Sequence, residues 1–534
     1  MSKPSGHPLA FILAATLVAL ALRLPELAQR PMHGDEAVHA IKFGALLEQG
    51  FYRYDSFEYH GPTLNYLTLI PAWLSSAKEL AAVSEWTLRI VPVFFGTALV
   101  FMTALLCAGM GRADSIIAAA LTAISPAMAY YSRYYIQEML LVCFTFGVIA
   151  CAYRYTQNRR VGWALATGIF AGLMHATKET CIIAWGAMAL ALGLTLAWQC
   201  KEAKAQNVVL RLKTPERSHV VAALVVAAFV SVLCYSSFFT NAQGVWDSIL
   251  TYKIYLSRAG HNPVHIHPWY YYLNILVFFR NGANPIWSEA LILVLAAIGF
   301  LFALRMKGIA EVDPHLLRFI AFYTLAMTIV YSLIPYKTPW NLISFLHGMI
   351  LLAGVGAMAI IRKLPARPAR AAALALMVAA GLHLGWLAYV TNYKYEENPA
   401  NPYVYAHPVN DVFTIVKRVE EIAQAHPDKR DLYMQVICPE DDYWPLPWYL
   451  RTFRNIGWWN RVDDASPLAP LIIASPKLEP ALMRKLYEIP PPGKRALYVP
   501  LFDTYTELRP QVELRGYVRK DLWDRFQEAV ISDQ

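Results

Sequence analysis

Long apolar runs returning again and again along the chain limit its fold more than any other feature. Runs able to cross a hydrocarbon core of roughly 30 Å occupy Leu9 to Leu24, Trp86 to Met110, Ser115 to Tyr131, Ile136 to Tyr153, Val161 to His175 and Thr180 to Trp198. They continue with His219 to Phe239, Pro285 to Leu304, Leu316 to Pro335, Asn341 to Ile361 and Ala371 to Val390, which makes eleven expected spans. With 57% hydrophobic residues and only 16% charged, the composition suits a polytopic all-α membrane protein and excludes an ordinary soluble one. The first run leaves through Arg23-Leu24-Pro25-Glu26-Leu27, which is no small-residue cleavage site, so it reads as an uncleaved span rather than a signal peptide.

The net charge of +9 needs no nucleic acid to explain it, because the basic residues alternate between loops. With a cytoplasmic N-terminus, the inner loops carry Arg112, Arg154, Arg159, Arg160, Lys201, Lys204, Arg211, Lys213, Arg217, Arg305, Lys307, Arg318, Arg362, Lys363, Arg367 and Arg370. The short outer turns carry only Arg133, Lys178 and Lys337, as positive-inside asymmetry requires. A multi-pass protein of the plasma (inner) membrane follows. Its long outer loops are residues 25–85 and 240–284, and the odd span count puts the C-terminal region outside the cytoplasm. Six of the 7 cysteines lie in or beside apolar segments, without metal or disulfide spacing.

After residue 390 the composition changes. Residues 391–407 read as a Pro-, Asn- and Tyr-rich linker, and 408–534 as a small α/β domain. Helices are expected at Asp411 to Gln424 and Leu482 to Tyr487, strands at Leu432 to Ile437, Leu471 to Ala474 and Ala496 to Val499. The acidic-aromatic stretch Asp441 to Arg451 follows the first strand, where α/β domains often place ligands, and it equally fits a capped turn over an aromatic core.

The outer loops carry the chemistry. In Pro31-Met-His-Gly-Asp-Glu-Ala-Val-His-Ala40, Asp35 and Glu36 open an expected helix that stops at Gly50. At 3.6 residues per turn, Asp35, His39 and Lys42 share one face, opposite Ala37, Ile41, Gly44 and Leu47. Acidic first turns are common, so the pair gains meaning from its company on the same membrane side. A second acidic-aromatic patch holds Glu58 and His60. Tight outer turns hold Arg133 with Glu138, Lys178 with Glu179, and Lys337 with Trp340. Three cations placed against the positive-inside bias suggest a cavity for an anionic group. The larger outer loop adds Arg258, His265 and His267 among aromatics, which read first as interfacial aromatics with a few polar contacts and also suit sugar and phosphate contact; no third fixed ligand supports zinc. A divalent cation could sit among Asp35, Glu58, His60 and His265, yet no spacing demands one.

Taken together, the Asp-Glu motif after the first span, the Arg-Tyr-Tyr-x-x-Glu turn, Tyr336-Lys-Thr-Pro-Trp340 and Tyr443-Trp-Pro-Leu-Pro-Trp-Tyr449 resemble the GT-C glycosyltransferases. Within these the chain is similar to the protein O-mannosyltransferase and aminoarabinose transferase group, and closest to the flippase-activity-associated membrane proteins. The resemblance implies sugar transfer, with inversion, from a polyprenyl-phosphate donor to a hydroxyl of a glycan, lipid or protein acceptor on the outer face, with no required cofactor. It gives Asp35 the role of general base, Glu36 or Glu58 that of orienting it, and the three cations that of stabilising the phosphate leaving group. Relatives carry Lys-Pro-Pro or His-Pro-Pro where this chain has His60-Gly61-Pro62, so a phosphate grip there does not carry over. The competing expectation is a non-catalytic lipid-linked-sugar binding protein or flippase-associated component. A structural assembly protein whose C-terminal domain is the working part is a third.

Overall fold

The computed structural model describes residues 8–57, 60–205, 214–258, 265–306 and 312–532. Glu58 lies outside them, and of Arg258 only its place at the end of the Ala242–Arg258 helix is described.

Each of the eleven apolar stretches is helical. Among the described residues, seven helices are long and apolar enough to cross a membrane, Glu85–Met110, Glu138–Asn158, Cys181–Lys204, Arg217–Tyr235, Pro314–Leu333, Pro339–Lys363 and Arg367–Tyr393. Three more are apolar but shorter, Pro8–Arg23 (α1), Val161–His175 and Ala290–Arg305. The remaining stretch divides at Pro126 into Arg112–Ile124 and Pro126–Tyr131, where the Ser125 hydroxyl caps the second piece by accepting from the Met128 amide. Large apolar side chains stay exposed along the flanks, among them Phe94, Leu224, Leu376 and Leu382. On a soluble protein such a surface would aggregate; along helices of this length it marks lipid contact. This is a multi-pass membrane protein.

Between α1 and the Glu85–Met110 helix lies α2, Gly34–Gln49. Its start is a capping box built on a histidine: His33 Nδ1 accepts from the Asp35 amide at 3.0 Å, and the His33 amide donates to Glu36 Oε2 at 3.0 Å. Its end is Gly50 at φ +67°, the left-handed residue that lets the amide close onto the Leu46 carbonyl. The buried face of α2 is broader than the sequence period suggests. It takes in Glu36, Ala37, His39, Ala40, Phe43, Gly44 and Leu46, against the Thr63–Leu74 helix, the Leu80–Ala82 turn and the Leu446–Tyr449 turn. The Thr63–Leu74 helix exposes Trp73 and Leu74.

The C-terminal region forms a mixed sheet from β1 (Met434–Ile437), β2 (Ile456–Trp459), β3 (Leu471–Ala474), β4 (Tyr498–Pro500) and β7 (Arg515–Arg519) in the order β2-β1-β3-β7-β4. A separate hairpin pairs β5 (Glu507–Arg509) with β6 (Val512–Glu513). β1 runs parallel to both β2 and β3, and every residue of β1 and β3 is buried, as expected for central parallel strands covered on both faces. This region is bolted to α2 and its surroundings. Tyr449 Oη accepts from the Met32 amide at 2.8 Å, Trp448 Nε1 donates to Glu85 at 2.8 Å, and Arg451 donates to the carbonyls of Leu80 and Val83.

Candidate active site

The two carboxylates that open α2 have opposite surroundings. Glu36 is fully buried and receives Arg89 Nε and Nη2 at 2.8 Å each, the Tyr135 amide at 2.8 Å and, more loosely, Arg30 at 3.4 Å. Arg89 spends its other donors on the carbonyls of Leu27, Arg30 and Pro31. Burial alone would favour the protonated acid; the Arg89 and Arg30 guanidiniums outweigh it and hold the Glu36 carboxyl well below the usual carboxylate range. Such a carboxylate is fixed in place and poorly able to accept a proton.

Asp35 is exposed, and its carboxylate makes no hydrogen bond or ion pair with a described side chain. Four residues along α2, and therefore on the same face, His39 is buried; loss of solvation and the neighbouring His60 push its pKa down to about 3, with Asp35 acting in the opposite sense. Its imidazole is accordingly neutral beside the carboxylate. His39 Nδ1 meets Gln137 Nε2 at 3.4 Å. His60, its ring 6.0 Å from that of His39, is oriented by Glu179 at 2.8 Å, and Tyr54 donates to the same carboxylate. Burial disfavours the Glu179 anion, but His60 more than compensates, and its pKa is lowered.

On the opposite flank, His33 Nε2 donates to the Tyr405 carbonyl at 3.0 Å while its Nδ1 caps α2, so one neutral tautomer serves both bonds. His265 Nδ1 lies 2.7 Å from the Tyr405 hydroxyl, and burial lowers its proton affinity on balance, with Asp35 acting in the opposite sense. His267 stacks on Tyr271 with ring centroids 4.2 Å apart. Trp340 packs edge-on to His33 at 5.5 Å, behind the site.

The three outer cations behave differently from one another. Lys178 is buried in an ion pair with Glu138; burial weakens its charge, and that carboxylate restores it and raises its pKa. Lys337 reaches the carbonyls of His267 and Ile334, and its third ammonium donor has no partner among the described residues. Arg133 turns away from Asp35. Its guanidinium donates to the carbonyls of Arg23, Pro25 and Glu26 and to the Tyr393 hydroxyl, tying the end of α1 to the last membrane helix. The sequence pattern put Arg133 in an anion cavity; the structure gives it backbone to hold.

His39, His60, Glu179, Lys178 and Glu138 thus form one set of neighbours and His265, His267 and Lys337 another, with Trp340 against His33, Asp35 within electrostatic reach of His39 and His265, and Glu36 buried beside it. Sequence reasoning did not single out Arg30 and Arg89, Gln137 or Tyr405. Arg89 had a signal, an arginine inside an apolar run; Tyr405 arrives from the linker and had none. Among the described residues no group of three His, Cys, Asp or Glu side chains is placed to hold a metal ion.

Comparison with known proteins gives the class. The sequence profile of the dolichyl-phosphate-mannose-protein mannosyltransferase family matches residues 70–243. ArnT from Cupriavidus metallidurans, solved with undecaprenyl phosphate, aligns over 95% of this chain and 97% of its own with a TM-score of 0.61 at 14% identity. The archaeal oligosaccharyltransferase AglB from Archaeoglobus fulgidus, solved with an inhibitory peptide and a dolichol-phosphate, aligns over 88% of this chain and 70% of its own, TM-score 0.54, at 14% identity. The mycobacterial arabinofuranosyltransferase AftD aligns over 95% of this chain and 40% of its own, TM-score 0.50, at 15% identity. No curated protein sequence matches the chain. The chain has the fold of the GT-C membrane glycosyltransferases.

Proposed function

We propose that the protein is an inverting glycosyltransferase of the plasma (inner) membrane that moves a sugar from a polyprenyl-phosphate donor to an acceptor hydroxyl on the extracytoplasmic face, with its N-terminus cytoplasmic and its C-terminal domain outside. The observation that carries this is the exposed Asp35 carboxylate, unpaired among the described residues, next to the clamped Glu36 on a helix start that His33 caps. The ArnT and AglB structures, with bound polyprenyl phosphates, support the donor class.

In this reading Asp35 takes the proton of the acceptor hydroxyl, whose oxygen attacks the anomeric carbon. The bond from that carbon to the phosphate oxygen breaks, and the electron pair leaves on the polyprenyl phosphate. A phosphate leaving group needs no proton, only charge stabilisation. Lys337, with one ammonium donor uncommitted, is the cation best placed to give it. Glu36 takes no part in proton transfer; it anchors the backbone that carries Asp35. A positioned base of this kind is worth roughly 10²–10⁴ in rate.

The test uses the purified full-length protein in lipid nanodiscs, supplied with polyprenyl-phosphate hexoses and pentoses. Release of polyprenyl phosphate together with a new glycoside is the expected result. Tight binding of every donor with no turnover on any acceptor offered would instead support a non-catalytic carrier.

A further inference from the structure

The Asp441 to Arg451 stretch lies where the sheet changes direction. From β1 the chain turns towards β2 on one side, and from β3 it leaves towards β4 on the other, so a crevice opens beyond the carboxyl ends of β1 and β3. The loop leaving β1 there is shaped rather than slack. Glu440 and Asp441 are consecutive left-handed residues at φ 58° and 57°, the Asp441 amide donates to Asn460, and the Asp442 carboxylate pairs with Arg509. Arg509 also donates to the Trp444 carbonyl at 2.9 Å. The result is a half-exposed aromatic step. The Tyr443 ring lies 4.9 Å from that of Trp458 and 6.2 Å from that of Trp444, while Glu440 and Asp441 project into solvent at its edge. Tyr443 donates to Asp441 at 3.0 Å, which fixes the ring against the carboxylate.

The position of this step gives it meaning. A β-carbon built on Gly34 would lie 3.7 Å from that of Trp444, so the aromatic step adjoins the residue before Asp35. Flat aromatic faces held open beside carboxylate acceptors match the two sides of a pyranose, its C–H face and its ring of hydroxyl donors. Two exposed carboxylates disfavour an anionic ligand by charge alone.

We infer that Tyr443, Trp444 and Trp458, edged by Glu440 and Asp441, form the acceptor ledge of the Asp35 site, and that the acceptor is a neutral or cationic sugar-bearing molecule rather than a bare peptide. This rests on the transferase reading and adds the class of acceptor to it.

The experiment measures saturation-transfer NMR of the full-length protein in nanodiscs with three probes, namely a neutral hexose disaccharide, a uronic-acid-containing disaccharide and a serine-rich peptide. The neutral disaccharide should show transfer at its ring protons, reduced at least fivefold in Trp458→Ala and in Tyr443→Ala and retained in Asp35→Asn. Because the alanine variants could disturb the fold, Glu440→Lys at an exposed position serves as the second arm; it should turn preference towards the acidic disaccharide by several-fold. The apparent Tm of all three ledge variants should stay within experimental spread of the parent, a readout that a purely structural role would lower. Sugar binding indifferent to all three substitutions, or binding of the peptide alone, would overturn the ledge. Loss of transfer in Asp35→Asn with the ledge inert would sink this inference and leave the transferase reading standing. Transfer unaffected by Asp35→Asn, with sugar binding still lost in the ledge variants, would remove Asp35 as the base and leave the ledge as a sugar-binding surface.

Discussion

The two sides of the first turn of α2 share a stretch of backbone and little else. On the Glu36 side every oxygen is matched by Arg89, Arg30 or a backbone amide, and the neighbouring Arg133 is equally absorbed in carbonyls. On the Asp35 side the carboxylate is open to solvent, and the imidazoles of His39 and His265 lie within its electrostatic reach. The contrast teaches a division of labour: an immobile buried ion network sets the position of a helix start, so an unpaired carboxylate one residue away can stand exposed in a defined place without the network neutralising it.

The contrast can be broken from the buried side first. Glu36→Ala strands two guanidiniums in the interior, and removing one partner of a buried pair typically costs about 3–5 kcal/mol. Recovery of monodisperse protein and the apparent Tm in nanodiscs should both collapse. A well-folded Glu36→Ala protein deficient only in transfer would mean that Glu36 reacts and does not merely hold. Arg133→Ala leaves buried carbonyls without donors, each a loss of about 1–3 kcal/mol. Its Tm should fall while the donor KM is unchanged; a tenfold rise in donor KM at normal Tm would return Arg133 to the phosphate site.

From the open side, Lys337→Ala should raise the donor KM about tenfold, equivalent to about 1.4 kcal/mol of binding, and barely change the acceptor KM. The smallest effect concerns pH. The unfolded chain takes up a proton at His39 near its ordinary value of 6.5, whereas the folded protein resists until about 3. Between those values the unfolded state binds more protons, so stability declines as pH drops through the window. Replacing the imidazole by His39→Gln should flatten the fall of Tm between pH 6.5 and 5; an unchanged slope would place the acid sensitivity elsewhere.

Much of this was readable beforehand, for physical reasons. The apolar runs had to become helices because bilayer-depth backbone must satisfy itself internally, and Gly50 marked the end of α2. The pairing of Asp35 with His39 followed from helical period alone. What sequence could not supply was long-range. Glu36 reads as half of a carboxylate pair until Arg89, Arg30 and the Tyr135 amide converge on it. Arg133 looked like an anion ligand, because nothing local reveals that the backbone carbonyls of Arg23 and Pro25 will claim it. In the C-terminal region the short central strands were legible, but β2, Ile456-Gly-Trp-Trp459, lacks the apolar run that marked its neighbours, and the crevice it helps form was hidden with it.

Asp35→Asn is nearly isosteric and leaves the Glu36 network whole, so it isolates the open side. Single-turnover transfer from a polyprenyl-phosphate sugar should fall by roughly 10²–10⁴, with donor affinity and Tm within experimental spread of the parent. Transfer at the parent rate in that variant would contradict the assignment of Asp35 as the base.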